Sequence, residues 1–249
     1  MTTMRNMLRR LAPQFAKEQY HALRNTNYCR RLRLTAAAKR LSRRAARTPN
    51  ASAEDYCDLL WASGVFRPMQ IRWEIARLYE IVRALRPSTV CEIGAADGGT
   101  TFLFARAAAH DALLISLDLN YDEARRQSVA LFAQGEQRIV CLDGDSHVAA
   151  TLNNVTGLLD GRHLDFLFID GDHSFAGVAK DFEMYSPLLR RGGIVAFHDI
   201  VPVREGDLNH YVGGVPEFWR ELKRRYASTE EIVEDANQSA FGIGVLRWE

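Results

Sequence analysis

Cysteine is scarce in this chain and wrongly spaced for metal or redox work. The four cysteines, Cys29, Cys57, Cys91 and Cys141, form no Cys-x-x-Cys pair, which excludes the zinc and thiol centres built on that spacing. Cys91 and Cys141 fall inside or at the end of strand-like runs, where a small reduced core residue is expected. No segment approaches the ~18 consecutive apolar residues of a membrane span, and no cleavable signal pattern opens the chain. A cytoplasmic protein is therefore expected. The dinucleotide fingerprint Gly-x-Gly-x-x-Gly is also missing. Acid is nearly missing from the start: residues 1–50 hold 13 Lys/Arg against the single acid Glu18. The remainder holds 19 basic and 30 acidic residues, so a net charge of +1 hides a basic arm ahead of an acidic body.

In that arm Met4, Met7, Leu8, Leu11 and Phe15 recur at helical spacing, with Arg5, Arg9 and Arg10 between them. Eight further cations run from Arg30 to Arg47 before the break at Thr48-Pro-Asn50. Three readings stay open: a helical extension packed on the body or a second subunit, a basic amphipathic helix on an anionic membrane, or an organelle transit sequence. Nucleic-acid binding ranks lower, because aromatic residues for base stacking are sparse.

What is present after residue 50 is regular. Ser52 and Asp55 form a variant capping box for a short helix through Trp61. Ile71, Ile75, Leu78, Val82 and Leu85 alternate four and three residues apart, an amphipathic helix stopped by Pro87. Gln70 and Glu74 at its start could reach the ligand cleft that the helix leads into, but are read as solvated. Strand-like runs follow at Thr89–Ile93, Leu113–Leu117, Arg138–Leu142, Leu164–Ile169 and Gly193–Phe197, with helical stretches between, among them Tyr121–Phe132 and Gly177–Leu189. That alternation predicts a mainly parallel α/β sheet with helices on both faces. Glu231–Val233 and Phe241–Leu246 lie too close for a parallel crossover of about a dozen residues, so they should form an antiparallel hairpin. The division is a 1–50 extension and a 51–249 domain.

Two features carry chemistry. After the first strand, Gly94, Gly98, Gly99 and Thr100 make a glycine turn into a helix, an arrangement that offers backbone N–H groups to a ligand. Acids then stand at the carboxyl ends of successive strands, where open α/β sheets bind ligands: Glu92 with Asp97, Asp118, Asp143 with Asp145, Asp170 with Asp172, and Asp199. Like charges gathered on one rim are costly unless something cationic or rich in hydroxyls sits there. Asp118, one βαβ unit past the turn, suits two ribose hydroxyls. A ligand with a ribose and a sulfonium but no pyrophosphate fits both features. Asp145 and Ser146 could reach an adenine edge.

Glu92-Ile-Gly94 with Gly98-Gly-Thr100, then Asp118, then Gly144-Asp-Ser146, resembles class I S-adenosylmethionine-dependent methyltransferases. Ile169-Asp-Gly-Asp-His-Ser-Phe-Ala-Gly-Val178 with Ser186 to Ile200 resembles their small-molecule O-methyltransferase branch, which includes macrolide-sugar methyltransferases and cephalosporin-hydroxylase-like proteins. The resemblance spans roughly Gln70 to Leu246 and leaves the arm outside. It implies a Rossmann-like seven-stranded sheet, S-adenosyl-L-methionine as cofactor, and Glu92, Gly94, Gly98, Thr100, Asp118, Asp145 and Ser146 as its contacts. It further implies Mg2+ on Asp170 and Asp199, with His173 or Asp172 as general base. Of these two His173 is preferred, since an imidazole titrates near neutral pH. His198 departs from the paired acids of several metal-dependent relatives and is a third ligand candidate, a group supporting the ligands from behind, or an acceptor contact.

His147, His163 and His210 are read as surface or loop residues, Trp219 as part of a core helix, and the loop 201–214 as a substrate lid. The expected partner is a small hydroxylated acceptor such as a sugar, glycolipid or natural product. Peripheral membrane contact through the arm and homo-oligomer assembly accompany that reading. Two other functions compete. One is an RNA methyltransferase using the basic arm, although an Asn-Pro-Pro-Tyr motif is missing. The other is a non-catalytic cofactor-binding protein held at a membrane.

Overall fold

The computed structural model describes residues 27–49, 51–207 and 211–249. Three helices precede the sheet: α1 (Asn27–Ala46), α2 (Ala53–Ser63) and α3 (Arg72–Leu85). Ser52 accepts the Asp55 backbone N–H while Asp55 takes the Ser52 N–H, so the expected capping box starts α2. The helix α3 ends at Leu85, with Arg86 turned to φ 48° just before Pro87.

The alternation then runs β1 (Thr89–Ile93), α4 (Gly99–Ala107), β2 (Leu113–Asp118), α5 (Glu123–Ala130), β3 (Arg138–Asp143), α6 (Ala149–Leu159), β4 (Leu164–Ile169) and α7 (Phe175–Tyr185). A short 3-10 turn leads into β5 (Leu189–His198), followed by α8 (Val215–Arg225), β6 (Thr229–Ile232) and β7 (Ile243–Arg247). The seven strands lie in the order β3-β2-β1-β4-β5-β7-β6. The first five are parallel; β7 enters antiparallel between β5 and β6, so the expected hairpin is present. The strand order reverses between β1 and β4, which opens a crevice at their carboxyl ends.

The sheet divides the apolar interior in two. On one face Leu34, Leu41, Leu60, Leu78, Phe102 and Phe132 pack together from α1 to the end of α5. On the other, Val155, Phe182, Phe218 and Trp219 cover the sheet from α6, α7 and α8. In β4, Phe166 and Phe168 face the first core while Leu167 and Ile169 face the second, the period-two alternation of a strand buried on both sides. Leu34, Ala38, Leu41 and Ala45 are all buried, so α1 is anchored on the body. The Met4–Phe15 pattern and His210 lie outside the described residues.

Candidate active site

A cavity of about 470 Å3 opens at the carboxyl ends of β1 to β4. Its walls are Ile93, Gly94 and Ala96 from the β1 turn, Leu117 to Asn120 after β2, Gly144 to His147 after β3, and Asp170 to Asp172 after β4. Asp118 is the polar centre of one wall. Its Oδ2 accepts the Ala96 N–H at 2.9 Å and its Oδ1 the Asn120 N–H at 3.1 Å, so the carboxylate joins the β1 turn to the β2 loop. Gly94 is required by a close approach. It stands at φ 87°, and a Cβ there would lie 2.0 Å from the Asp170 carbonyl oxygen.

Beneath the turn, Glu92 is 1% exposed and receives hydrogen bonds from Thr100 and Thr101. Burial pushes its carboxyl up to about 7, against the opposing pull of those two hydroxyls. On the far side of the cavity His147 sets its Nε2 3.1 Å from the Gly177 carbonyl and 3.2 Å from the wholly buried Asp181. Burial raises the Asp181 carboxyl. Tyr185 donates to the Ser146 carbonyl, so α7 holds the loop after β3 from behind.

Beside the cavity lies an acid–histidine cluster. One donor atom from each of Asp170, His173 and Asp199 falls within 4.8 Å of the others. His173 Nδ1 is 3.1 Å from Asp199 Oδ2 and 3.2 Å from the Tyr211 carbonyl. Nδ1 faces two acceptors and Nε2 stands 3.6 Å from Asp170 Oδ1, so both ring nitrogens are turned to oxygen acceptors and the site suits the protonated ring. Its hydrogen bond to Asp170, with the charges of Asp170 and Asp199, raises this imidazole to about 9 despite burial.

Asp170 is tied twice more, to His198 Nδ1 at 3.1 Å and to Gln70 Nε2 at 2.6 Å. Burial pushes the Asp170 carboxyl up, and the two histidines more than reverse that. Burial lowers the His198 imidazole, while the charge and hydrogen bond of Asp170 outweigh it and leave it raised. Asp199 adopts φ 64°, a left-handed conformation that turns its carboxylate off the end of β5.

Residues 91–200 match the family model described as a methyltransferase domain. Solved structures share the chain's fold. The O-methyltransferase TomG of Streptomyces achromogenes, involved in tomaymycin synthesis and solved with SAM, superposes with TM-score 0.56 at 18% identity, covering 80% of this chain and 91% of that one. The Bacillus cereus O-methyltransferase in complex with SAH gives 0.54 at 18% identity over 78% and 90%. A further relative is the uncharacterized protein y4gI of Sinorhizobium fredii, 26% identical over 174 residues. That match takes in 68% of this chain and only 18% of the relative's length.

The sequence candidates separate into two groups. Gly94, Asp118, Asp145, Ser146 and Asp172 stand on the cavity wall, and Asp170 joins the wall to the acid cluster. Glu92, Gly98 and Thr100 do not line the cavity: Glu92 and Thr100 bond each other in the core, and Gly98 faces Val129. Of the histidines, His173 rather than His198 shares the three-donor cluster, while His198 buttresses Asp170. Asp172 accepts the Ser174 N–H at 2.8 Å and so belongs to the start of α7, with its carboxyl held below the ordinary value chiefly by that bond.

Two readings of the sequence are corrected. Gln70 and Glu74 are buried, not solvated. Gln70 reaches Asp170, and Glu74 accepts from Gln238 and Gly242 in the loop before β7. His147 lies in the loop after β3, where it also lines the cavity and is backed by Asp181. Sequence reasoning missed Asp181 altogether. An acid in the middle of the otherwise apolar stripe of α7, at 181 beside Val178, Phe182 and Tyr185, was the available signal.

Proposed function

We propose that this chain is an S-adenosylmethionine-dependent O-methyltransferase that modifies a hydroxyl of a small molecule of sugar, glycolipid or natural-product type, assisted by a divalent metal. The observation that carries the reading is Asp170, which lines the cavity and also belongs to the acid cluster. A hydroxyl bound at the cluster is thereby next to whatever fills the cavity. The cavity suits a cofactor with a ribose and no pyrophosphate, since its central polar group is one carboxylate on backbone donors. The cofactor, when bound, supplies an electrophilic sulfonium methyl.

Two carboxylates and an imidazole within 4.8 Å are a donor set that fits a divalent cation, and the oxygen-rich share of it favours Mg2+. Such an ion would lower the pKa of a hydroxyl beside it. Asp170 and Asp199 would hold it, and Gln70 and His198 fix the Asp170 carboxylate through both of its oxygens. With both carboxylates given over to such an ion, their hold on the His173 proton would weaken, and the ring, its Nδ1 hydrogen kept by Asp199 and Tyr211, would take the acceptor's proton at Nε2. Transfer of that methyl to the hydroxyl oxygen would leave the cofactor as a neutral thioether and the acceptor as a methyl ether.

The test is a methyl-transfer screen over glycosides, glycolipids and polyketides with and without EDTA. Turnover should vanish with chelator and in Asp199→Ala, while S-adenosylhomocysteine binding persists. If both leave the rate unchanged, the metal role is lost. His173→Gln separates base from ligand: a base variant loses the pH dependence of kcat and keeps its metal affinity, whereas a ligand variant loses metal affinity.

A further inference from the structure

The helix α1 is two-sided. Its buried residues, Leu34, Ala38, Leu41 and Ala45, mark one face. At 100° per residue their centre lies opposite the meridian of Leu32, Lys39, Arg43 and Arg47, with Arg40 and Arg44 on its flank. Lys39, Arg40, Arg43, Arg44 and Arg47 are all exposed, and together they line a groove of about 410 Å3. Five cations thus occupy roughly 12 Å of helix. Among the described residues, Arg30 is the cation of α1 that has a carboxylate partner, Asp122. Nor can the arm neutralise itself, because residues 1–50 contain one acid, Glu18.

The apolar face is locked into the core, so the cations are held in a row on the outside of a fixed helix. Repulsion along such a row is tolerable when an anionic surface meets it. We infer that the outer face of α1 is a docking surface for an anionic lipid bilayer.

Three features favour lipid over nucleic acid. The stretch 31–47 contains no aromatic residue on which a base could stack. Leu32, half exposed, lies on the same meridian as Lys39 and Arg43, where a planar interface would take it up. Upstream, Met4, Met7, Leu8, Leu11 and Phe15 repeat the pairing of apolar and arginine positions. Arg30 fastens the first turn of α1 to Asp122 at the start of α5, and Ser42 donates to the Leu131 carbonyl at the end of α5, so α1 runs along α5 with its five cations at the end remote from the β2 loop.

The experiment is co-sedimentation of the full chain with phosphatidylcholine vesicles, with and without phosphatidylserine, at low and high salt. Binding is expected only with phosphatidylserine and should weaken as salt rises. Each basic residue near an anionic surface is worth roughly fivefold in partitioning, so Lys39→Gln/Arg43→Gln/Arg47→Gln should lower it roughly a hundredfold. S-adenosylhomocysteine binding and thermal unfolding of that variant should match the native chain, since the three side chains touch nothing in the core. Leu32→Ser should weaken vesicle binding further without altering its salt slope. Equal binding to neutral vesicles, or undiminished binding by the triple variant, overturns the assignment to α1. Salt-dependent retention of RNA with no vesicle binding overturns it in favour of nucleic acid. Self-association that disappears at high salt, again without vesicle binding, overturns it in favour of a second copy's acidic body.

Discussion

Replacing Asp118 by Asn tests the cofactor half of the site with little change of volume. Each carboxylate oxygen receives one backbone donor, Ala96 N–H on Oδ2 and Asn120 N–H on Oδ1. Arg125 stands 3.4 Å from both oxygens. An amide has one oxygen, so whichever way it turns, its NH2 faces one of those backbone donors. The variant therefore loses a hydrogen bond to a charged group, worth about 1.5–3 kcal/mol, and sets two donors against each other. A ribose hydroxyl loses its anionic acceptor as well. The combined effect on cofactor binding is about 2–4 kcal/mol, or roughly 30- to 1,000-fold in Kd. Calorimetric titration with S-adenosylhomocysteine reads this directly, and a melting curve shows whether the domain stays folded. A change below about threefold in a folded variant would mean that Asp118 organises the loops and does not hold the ligand.

Gly94→Ala should destabilise the chain by about 2–5 kcal/mol, because a Cβ at φ 87° meets the Asp170 carbonyl 2.0 Å away. Urea unfolding measures it, and an unchanged midpoint would show that β1 and β4 do not approach so closely. Asp165 links three strands at the opposite end of the sheet, accepting Ser88 N–H at 2.7 Å and Thr89 N–H at 3.0 Å and pairing with Arg190. Burial pushes its carboxyl up, yet Arg190 and the Ser88 and Thr89 donors hold it below the ordinary value. A depressed acid contributes stability that is complete above its unfolded pKa of about 3.9 and is lost as pH falls through the lower folded value. Asp165→Asn should cost about 1–3 kcal/mol at neutral pH and flatten that acid limb; parallel acid-unfolding curves would contradict the assignment.

Most of the scaffold was legible because its strands are short, largely apolar runs separated by turn residues and helices. Thr89–Ile93 and Leu164–Ile169 have the bounds read from the sequence. β5 begins four residues earlier than Gly193, since Leu189 pairs with Leu164 across a register shift that composition does not reveal. The helix expected over Gly177–Leu189 instead starts at Phe175, capped by Ser174, and gives way to a 3-10 turn at Pro187. At the site, the rim of acids could be read because each ends a strand. The burial of Glu74 could not be, because its donors come from Gln238 and Gly242 more than 160 positions away. The cavity role of His147 could not be read for the same reason, its partner Asp181 lying on a distant helix. The preference for His173 as base rested on an ordinary imidazole, and two nearby carboxylates change that starting point.

The partition between the two halves of this site is a single residue thick. Asp170 looks into the cavity on one side and into the carboxylate–imidazole cluster on the other, with Gly94 pressed against its main chain. Nothing can be inserted there, and neither compartment can widen at the other's expense. A change of acceptor must therefore come from the outer wall, the chain after Asp199, which can be rebuilt while the dividing wall stays as it is.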